Sequence, residues 1–297
     1  MKTKKVIIYG AGQVGVQIAW NLGAEYKIVC FVDKDKRRQT SDYEIMRGGG
    51  IFIDDKVYPV YAPEKLKSLE FDEIFIGVFY ESWANEILQM LHSFNIPKSK
   101  IQFKLSWTPF YARLNFIKTL SLQFREQNLK GAVAEFGVWR GDTASFINQI
   151  FPNDEFYLFD TFEGFDDKDC KVENIKGLSK ADKNDFSDTS LEFVKAKMSN
   201  LDKCHFVKGY FPQSASDIND NLNFKFVNID ADLYQPILAG CEYFYPRLIN
   251  GGLLLIHDYF NHNYTGVKQA VDEFCIKNKL VALPIGDAFS VIISKSF

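Results

Sequence analysis

Apolar and polar positions along the N-terminal part of the chain alternate in blocks that predict strands followed by helices. Short apolar runs bounded by turn residues predict buried strands, and apolar residues three or four positions apart predict amphipathic helices. The predicted strands are 5–9, 27–32, 57–60 and 74–78, the predicted helices lie near 12–23 and 82–93, and a short helix is predicted to start at 62–64. This alternation is typical of a parallel sheet with crossover helices.

The same alternation returns after a long helical pattern at 108–129. The predicted strands are 131–136, 155–160, 203–208, 224–230, 252–257, 279–283 and 288–294, and the predicted helices lie near 141–150, 188–199, 234–248 and 265–277. No long helix separates the last two strands, so they should form a hairpin that adds an antiparallel strand. That ending is typical of a class I methyltransferase sheet and unusual for a dehydrogenase.

We therefore predict an α/β protein with two Rossmann-like domains. The first would cover residues 1–105 and the second 106–297, with a connector or lid helix at 106–130 and a seven-stranded sheet that ends in the antiparallel hairpin. The charged stretch 161–190 has little periodicity. It is either a solvated insertion or a mobile loop that closes over a ligand.

Composition narrows the class of protein. The 297 residues carry a net charge of −3, which gives no support for a nucleic-acid or membrane-surface partner. No apolar run approaches the roughly 20 residues that span a bilayer. The five cysteines are scattered without metal-site spacing, which favours reduced thiols. We expect a cytoplasmic homo-oligomer without membrane insertion.

Two glycine-rich turns each follow a predicted strand and open a predicted helix. The first contains Gly10, Gly12 and Gly15, and the second runs from Glu135 to Gly141. An acid, Asp33 or Asp160, follows each turn at roughly the 20-residue spacing of nucleotide-binding units, where it can accept hydrogen bonds from ribose hydroxyls.

The second turn, with Gly137 and Gly141, suits a cationic cofactor better than a pyrophosphate. Glu135 at the end of its strand would repel phosphate, whereas S-adenosylmethionine carries an ammonium and a sulfonium that a carboxylate attracts. Asp160 would then hold the ribose. The alternative is two turn glycines beside an acid that has no binding role.

Polar residues end two further strands of the second domain. Asp230 and Asp232 follow one buried strand, and His257 and Asp258 follow the next. Ligands of open α/β sheets bind at the carboxyl ends of the strands, and these side chains suit Mg²⁺ or Mn²⁺. Such an ion could activate a hydroxyl for methyl transfer. Helix capping and a turn are the alternative roles of these acids.

The chain from Ala132 to Phe297 resembles the macrocin-type sugar O-methyltransferases, a class I S-adenosylmethionine family. The similarity belongs to a domain of about residues 108–297. It is carried by the following segments: Glu135–Thr143, Leu158–Phe165, Gly209–Pro212, Asp230–Tyr234, Tyr245–Leu248, Gly251–Gly252, His257–Tyr259 and Gly266–Phe274.

The resemblance implies Mg²⁺-assisted methyl transfer to a hydroxyl of a sugar or nucleotide-sugar substrate. It implies cofactor contacts from Thr161, Phe162, Gly209 and Tyr210, and metal ligands from Asp230 or Asp232 with Asp258. Some relatives have Asp-Asp-Tyr where this chain has His257-Asp258-Tyr259. His257 is therefore a ligand, a general base or neither, and Asp232 is a second catalytic candidate.

The first domain resembles the small Rossmann-like domain at the front of several polysaccharide-biosynthesis proteins. The similarity includes the segment from Val6 to Gly15, Asp33 and the 57–60 strand. It leaves four roles open: binding NAD, a sugar nucleotide or another nucleotide at Gly10, Gly12, Gly15 and Asp33, dimerising, docking a partner, or a structural role without a ligand. The alternatives for the whole chain are an NAD-dependent sugar-nucleotide oxidoreductase and a non-catalytic nucleotide-binding scaffold in a glycan pathway.

Overall fold

The computed structural model describes residues 3–22, 25–41, 43–44, 49–53, 56–78, 81–103 and 108–296, with only the backbone at 81 and 108. The contacts divide the chain into two compact units, Met1–Tyr111 and Ala112–Phe297. The predicted boundary between residues 105 and 106, and the predicted helix end at residue 23, lie outside the described residues.

The first unit is built on a parallel sheet. Its strands are β1 (Lys4–Tyr9), β2 (Tyr26–Val32), β3 (Ile51–Ile53), β4 (Lys56–Tyr58), β5 (Val60–Tyr61), β6 (Glu73–Ile76) and β7 (Ile101–Gln102), and its helices are α1 (Gln13–Asn21) and α2 (Glu81–Ser93). Five strands pair in the order β5-β2-β1-β6-β7, each parallel to its neighbours, while β3 and β4 form a separate antiparallel pair.

Both faces of this sheet are buried. Val6 and Ile8 of β1 belong to one apolar cluster with α1, and Ile7 and Tyr9 belong to the opposite cluster with α2. Successive side chains of a strand point to opposite faces, so the continuous apolar run of β1 fills both clusters.

The second unit contains the seven-stranded sheet. Its helices are α3 (Thr108–Glu126), which begins before the unit boundary, α4 (Asp142–Ile150), α5 (Asp167–Lys176), α6 (Leu191–Lys195), α7 (Tyr234–Phe244) and α8 (Thr265–Asn278). Its strands are β8 (Ala132–Phe136), β9 (Phe156–Asp160), β10 (Cys204–Lys208), β11 (Phe224–Ile229), β12 (Leu248–Ile256), β13 (Leu283–Pro284) and β14 (Val291–Ser294).

The strand order is β10-β9-β8-β11-β12-β14-β13, and β14 runs antiparallel to both of its neighbours. This confirms the predicted class I methyltransferase sheet with its terminal hairpin. Alternate residues of β8 again serve two clusters, since Ala134 packs on one face and Val133 on the other. Among the described helices, none combines the length and apolar content that crossing a bilayer requires.

Three elements of the second unit differ most from the sequence expectations, and in the first unit the strand expected at 57–60 is divided between β4 and β5. The stretch predicted as loop, 161–190, contains α5, which Asp166 caps by accepting a hydrogen bond from Lys168 N–H and which Gly177 ends at φ +67°. The strand expected at 279–283 is shortened to β13, which begins at Leu283. Helix α8 continues to Asn278 and ends at Lys279, which has φ +57°. The helix expected at 188–199 is limited to α6.

Candidate active site

Strand register brings four chain segments to the same edge of the second sheet. Phe136 pairs with Ile229 of β11 and with Phe159 of β9, and Ile229 pairs in turn with Ile256 of β12. The residues that follow these paired positions therefore emerge side by side at the carboxyl ends of the strands. This edge is where ligands of open α/β sheets bind.

The second glycine turn packs tightly against the neighbouring strand end. Gly137 has φ +84°, and a Cβ at this position would lie 2.1 Å from the carbonyl oxygen of Asp230. Gly141 has φ +74° and precedes α4. Only glycine fits at Gly137, because a side chain would collide with rigid backbone and the conformation is unfavourable for other residues.

Asp160 ties this turn to the loop after β9. Its Oδ2 accepts hydrogen bonds from Val138 N–H at 2.6 Å and Trp139 N–H at 2.9 Å, and its Oδ1 accepts one from Phe162 N–H at 2.6 Å. The neighbouring Thr161 hydroxyl donates to Gly164 O at 2.7 Å. Asp160 thus organises the backbone of both loops at the predicted cofactor position.

Glu135 presents a buried carboxyl group at the end of β8. The residue is 1% exposed, and its Oε1 accepts a hydrogen bond from Asn228 Nδ2 at 2.9 Å. Its Oε2 has no hydrogen-bond donor within the described part of the chain. Burial, and then the Asp230 carboxylate, raise the pKa of Glu135 well above its ordinary value. A cationic ligand would relieve both effects.

Three potential metal ligands converge beyond β11 and β12. One ligand atom each from Asp230, His257 and Asp258 lies within 4.8 Å of the others. Asp258 is 3% exposed, and its Oδ1 lies 3.3 Å from His257 Nε2 but receives no hydrogen bond from the described residues. A buried carboxylate oxygen without a hydrogen-bond donor fits a site that accepts a cation.

Asp232 lies against Asp258 and outside that group of three. Burial, and then the neighbouring Asp258 carboxylate, raise the pKa of Asp232 well above its ordinary value. Asp232 and Asp258 have φ +56° and +63°, values that non-glycine residues rarely adopt. Strained residues of this kind cluster at functional sites.

Arg113 is a site residue that the sequence analysis missed. It lies on α3, is buried, and donates to Asp230 Oδ2 at 2.9 Å and to the Thr143 hydroxyl at 3.4 Å. Burial by itself would lower the pKa of Arg113, but the Asp230 and Asp287 carboxylates raise it. The available signal was an arginine one helical turn before the buried Ile117, on the apolar face of α3.

The segment 161–190 contacts the predicted cofactor residues. Tyr210, in the turn that begins at Gly209, donates from its hydroxyl to the buried Asp169 Oδ1 at 2.9 Å. Trp139 Nε1 donates to Asp188 Oδ1 at 2.8 Å, and the Trp139 ring meets that of Phe186 at 5.0 Å. These contacts hold the segment next to the glycine turn.

The first glycine turn has a partly structural explanation. A Cβ on Gly10 would lie 2.3 Å from Gly77 O, and one on Gly15 would lie 1.8 Å from Gly10 O, so packing alone requires both glycines. A Cβ on Gly12 would instead meet the exposed Arg38 guanidinium at 2.7 Å. Asp33 is buried and accepts hydrogen bonds from Ala11 N–H at 2.8 Å and Asp35 N–H at 2.9 Å.

The strand order, the antiparallel β14 and the glycine turn beside Glu135 define a class I S-adenosylmethionine-dependent methyltransferase. The sequence profile of the Macrocin-O-methyltransferase (TylF) family matches residues 109–290. This match covers more than half of the chain, which therefore belongs to that family and is an S-adenosylmethionine-dependent O-methyltransferase. A second profile, C2185-like N-terminal, matches residues 2–102.

Solved structures show the same fold. The O-methyltransferase NovP is 22% identical, with 63% of this chain and 80% of NovP covered at a TM-score of 0.52. The calicheamicin methyltransferase CalS11 is 19% identical, with 71% of this chain and 85% of CalS11 covered at a TM-score of 0.52. No curated protein matched the chain.

Proposed function

We propose that the second unit transfers the methyl group of S-adenosylmethionine to a hydroxyl of a sugar, with assistance from Mg²⁺ or Mn²⁺. The sugar would belong to a nucleotide sugar, a glycan or a glycosylated metabolite. The observation that carries this proposal is the group formed by Asp230, His257 and Asp258 at the sheet edge that also presents Glu135 and the glycine turn. Membership of the macrocin O-methyltransferase family supports a sugar as the acceptor.

The cofactor would lie along the turn from Gly137 to Gly141. Glu135 would face its cationic amino-acid end, because Oε2 of this buried side chain is without a hydrogen-bond donor among the described residues. Asp160 would accept the ribose hydroxyls while keeping its bonds to the turn. Thr161, Phe162, Gly209 and Tyr210 are proposed as further cofactor contacts.

Asp230, His257 and Asp258 would hold the divalent cation. Two carboxylates and an imidazole suit Mg²⁺ or Mn²⁺, and their ligand atoms lie within 4.8 Å of one another. When bound, the cation would lower the pKa of the substrate hydroxyl and orient it. Asp232, beside Asp258, would either complete this site or accept a proton.

The remaining chemistry requires alignment and removal of one proton. The methyl group is already activated in the cofactor, so the protein mainly places the acceptor oxygen in line with it. The imidazole of His257 is partly exposed at the sheet edge, and its Nε2 lies on the side of Asp258. It can serve there as a ligand or accept the hydroxyl proton.

Three measurements test this proposal. Calorimetry with S-adenosylhomocysteine should show binding by the full chain, and absence of binding at millimolar ligand would overturn the cofactor assignment. Incubation with S-adenosylmethionine and a panel of nucleotide sugars should add one methyl group to one of them, as detected by mass spectrometry. Activity should vanish in excess chelator and return with Mg²⁺; full activity in chelator would overturn the metal assignment.

For the first unit we propose that the turn around Gly12 binds a nucleotide phosphate. In dinucleotide folds the middle glycine lets the backbone approach the pyrophosphate, and here the Arg38 guanidinium lies over it. Saturation-transfer NMR with NAD and with a nucleotide sugar tests the proposal on the full chain. A signal seen with either ligand should disappear in Gly12→Leu. Absence of signal from both NAD and the nucleotide sugar in the native protein would overturn the proposal.

A further inference from the structure

A buried hydrogen-bond chain connects the loop before β14 with His257. Ser290 is fully buried and Asp287 is 2% exposed. The Ser290 hydroxyl donates to Asp287 Oδ2 at 2.5 Å, and His257 Nδ1 lies 2.9 Å from Ser290 Oγ. Neither Ser290 nor Asp287 has a place in the proposed cofactor or metal site.

The direction of this chain follows from counting protons. Asp287 Oδ1 accepts hydrogen bonds from Phe289 N–H at 2.9 Å and Ser290 N–H at 2.8 Å, and Oδ2 accepts the one from the Ser290 hydroxyl, so both carboxyl oxygens act as acceptors. A serine hydroxyl has a single proton, and that proton points to Asp287. Ser290 Oγ can then only accept from the imidazole, which places a hydrogen on His257 Nδ1.

The opposite ring nitrogen is thereby left with a lone pair toward the candidate site. His257 Nε2 lies 3.3 Å from Asp258 Oδ1 and belongs to the group that includes Asp230. In the other tautomer, Nε2 would carry the hydrogen on the side of Asp258 Oδ1, although the 3.3 Å contact between these two atoms does not have hydrogen-bond geometry. That tautomer would leave Nε2 without a lone pair on the side of the candidate site.

We propose that Asp287 and Ser290 are positioning residues that hold His257 in the Nδ1–H tautomer. The Nε2 lone pair is then available whether the ring binds the cation or accepts the hydroxyl proton. The value of this arrangement for methyl transfer rests on the proposed function, whereas the tautomer itself can be measured without cation, cofactor or substrate. A neighbouring acid fixes the catalytic histidine of serine proteases by the same physical principle.

Asp287→Asn tests the direction of these hydrogen bonds without changing the size of the side chain at position 287. The amide oxygen can keep the two backbone N–H donors, so the NH₂ group takes the place of Oδ2 and donates to Ser290 Oγ. The Ser290 proton must then turn to His257 Nδ1, and the ring hydrogen moves to Nε2. Ser290→Ala should give the same ring tautomer by removing the acceptor for Nδ1–H.

Long-range ¹H–¹⁵N correlation spectra of histidine-labelled, metal-free protein distinguish the two tautomers at alkaline pH, where the rings are neutral. Loss of one signal in His257→Asn assigns it, and the remaining three histidines serve as internal references. We expect the ring hydrogen of His257 on Nδ1 in the native protein and on Nε2 in Asp287→Asn. An Nε2–H ring in the native chain, or an unchanged ring in Asp287→Asn, would overturn the proposal.

Calorimetry with Mg²⁺ separates this inference from the proposed function. If His257 is a ligand, Asp287→Asn should weaken Mg²⁺ binding roughly 10- to 100-fold, the range for partners of metal ligands, and leave S-adenosylhomocysteine affinity unchanged. A tautomer switch with unchanged Mg²⁺ affinity supports the positioning role and excludes His257 as a ligand. Ser121→Ala is the matched control, since this buried hydroxyl donates to Lys118 O within α3 and its loss should change neither property.

Discussion

The guanidinium of Arg113 donates to the Asp230 carboxylate at 2.9 Å and so links helix α3 to the end of strand β11. Both side chains are largely withdrawn from solvent, with 7% and 20% of their surface exposed. The positive charge also faces the carboxylates of Asp287 and Asp258. Arg113 therefore offsets part of the negative charge that a divalent cation would otherwise have to neutralise.

Replacing Arg113 by methionine should make stability depend on Mg²⁺. Loss of one partner of a buried ion pair costs about 3–5 kcal/mol, because the other charge is left without compensation. A cation at Asp230 and Asp258 would supply that compensation, so Mg²⁺ should raise the free energy of unfolding more for Arg113→Met than for the native chain. Urea unfolding with and without Mg²⁺ measures the difference.

Lys225→Met is the matched control for this experiment. Lys225 is buried near the start of β11, away from the carboxyl edge of the sheet, and its ammonium group lies 2.8 Å from the Asp154 carboxylate. The Lys225→Met variant should lose stability to a similar degree, but Mg²⁺ should restore none of the loss. An equal response of both variants to Mg²⁺ would contradict a cation site at Asp230.

Glu135→Gln should change how stability depends on pH. Burial, and then the Asp230 carboxylate, raise the pKa of Glu135 above its ordinary 4.5, so the folded chain binds this proton more tightly than the unfolded chain. The free energy of unfolding should therefore fall as pH rises through the interval from 4.5 to the folded-state pKa. Glutamine does not titrate, and the variant should lose this part of the decline.

Denaturant unfolding across pH measures this effect, with Glu155→Gln as control. The pKa of Glu155 is lowered by hydrogen bonds from Lys203 and His205, so its replacement should leave the decline in place. Glu135→Gln should also weaken S-adenosylmethionine binding by roughly 10- to 100-fold, because a hydrogen bond between charged groups is lost. Native affinity in this variant would contradict the contact with the cationic cofactor.

Two positive-φ glycines offer a comparison of strain with and without a steric collision. Gly177 ends α5 at φ +67°, and apart from its own neighbours along the chain no described residue has an atom within 4 Å of the place that a Cβ would occupy. A Cβ on Gly137 would instead lie 2.1 Å from Asp230 O. Gly177→Ala should cost about 1–2 kcal/mol for the left-handed conformation alone. Gly137→Ala should cost clearly more and abolish S-adenosylhomocysteine binding. Similar stability of the two variants in thermal unfolding would contradict the close approach.

The sheet of the second unit was predictable because its signal is local and repeated. Each strand is a buried apolar run, and the polar residues Asp160, Asp230 and His257 come at the strand ends, where parallel pairing brings them together. The short spacing between the last two strands was enough to predict the hairpin. The start of a strand was less predictable where a residue in the left-handed conformation, such as Lys279, ends the preceding helix.

Helix α5 and Arg113 were missed for two different physical reasons. The charged sequence of α5 lacks an apolar stripe, so its visible signals were only the caps, Asp166 and Gly177. Arg113 acts through a partner far along the chain, Asp230, and no local pattern specifies such a pair. The same limit applies to Asp33, whose hydrogen bonds to the first glycine turn appear only in the folded unit.

Tyr210→Phe should loosen helix α5. The Tyr210 hydroxyl donates to Asp169 at 2.9 Å, and Asp169 is 5% exposed, so removing the donor leaves a buried carboxyl group without this bond. Such a loss costs about 1–3 kcal/mol. Amide hydrogen exchange in 167–176 should accelerate, and S-adenosylhomocysteine affinity should fall because Tyr210 belongs to a proposed cofactor segment.

The double variant Tyr210→Phe with Asp169→Leu provides the internal check, since it removes the buried carboxyl group together with its donor. Exchange in 167–176 should return toward the native rate if the penalty comes from desolvated Asp169. Tyr9→Phe, which alters a hydroxyl contact to Met90 in the first unit, should leave exchange in this segment unchanged. Native exchange rates in Tyr210→Phe would mean that the Trp139–Asp188 contact is sufficient to hold the segment beside the glycine turn.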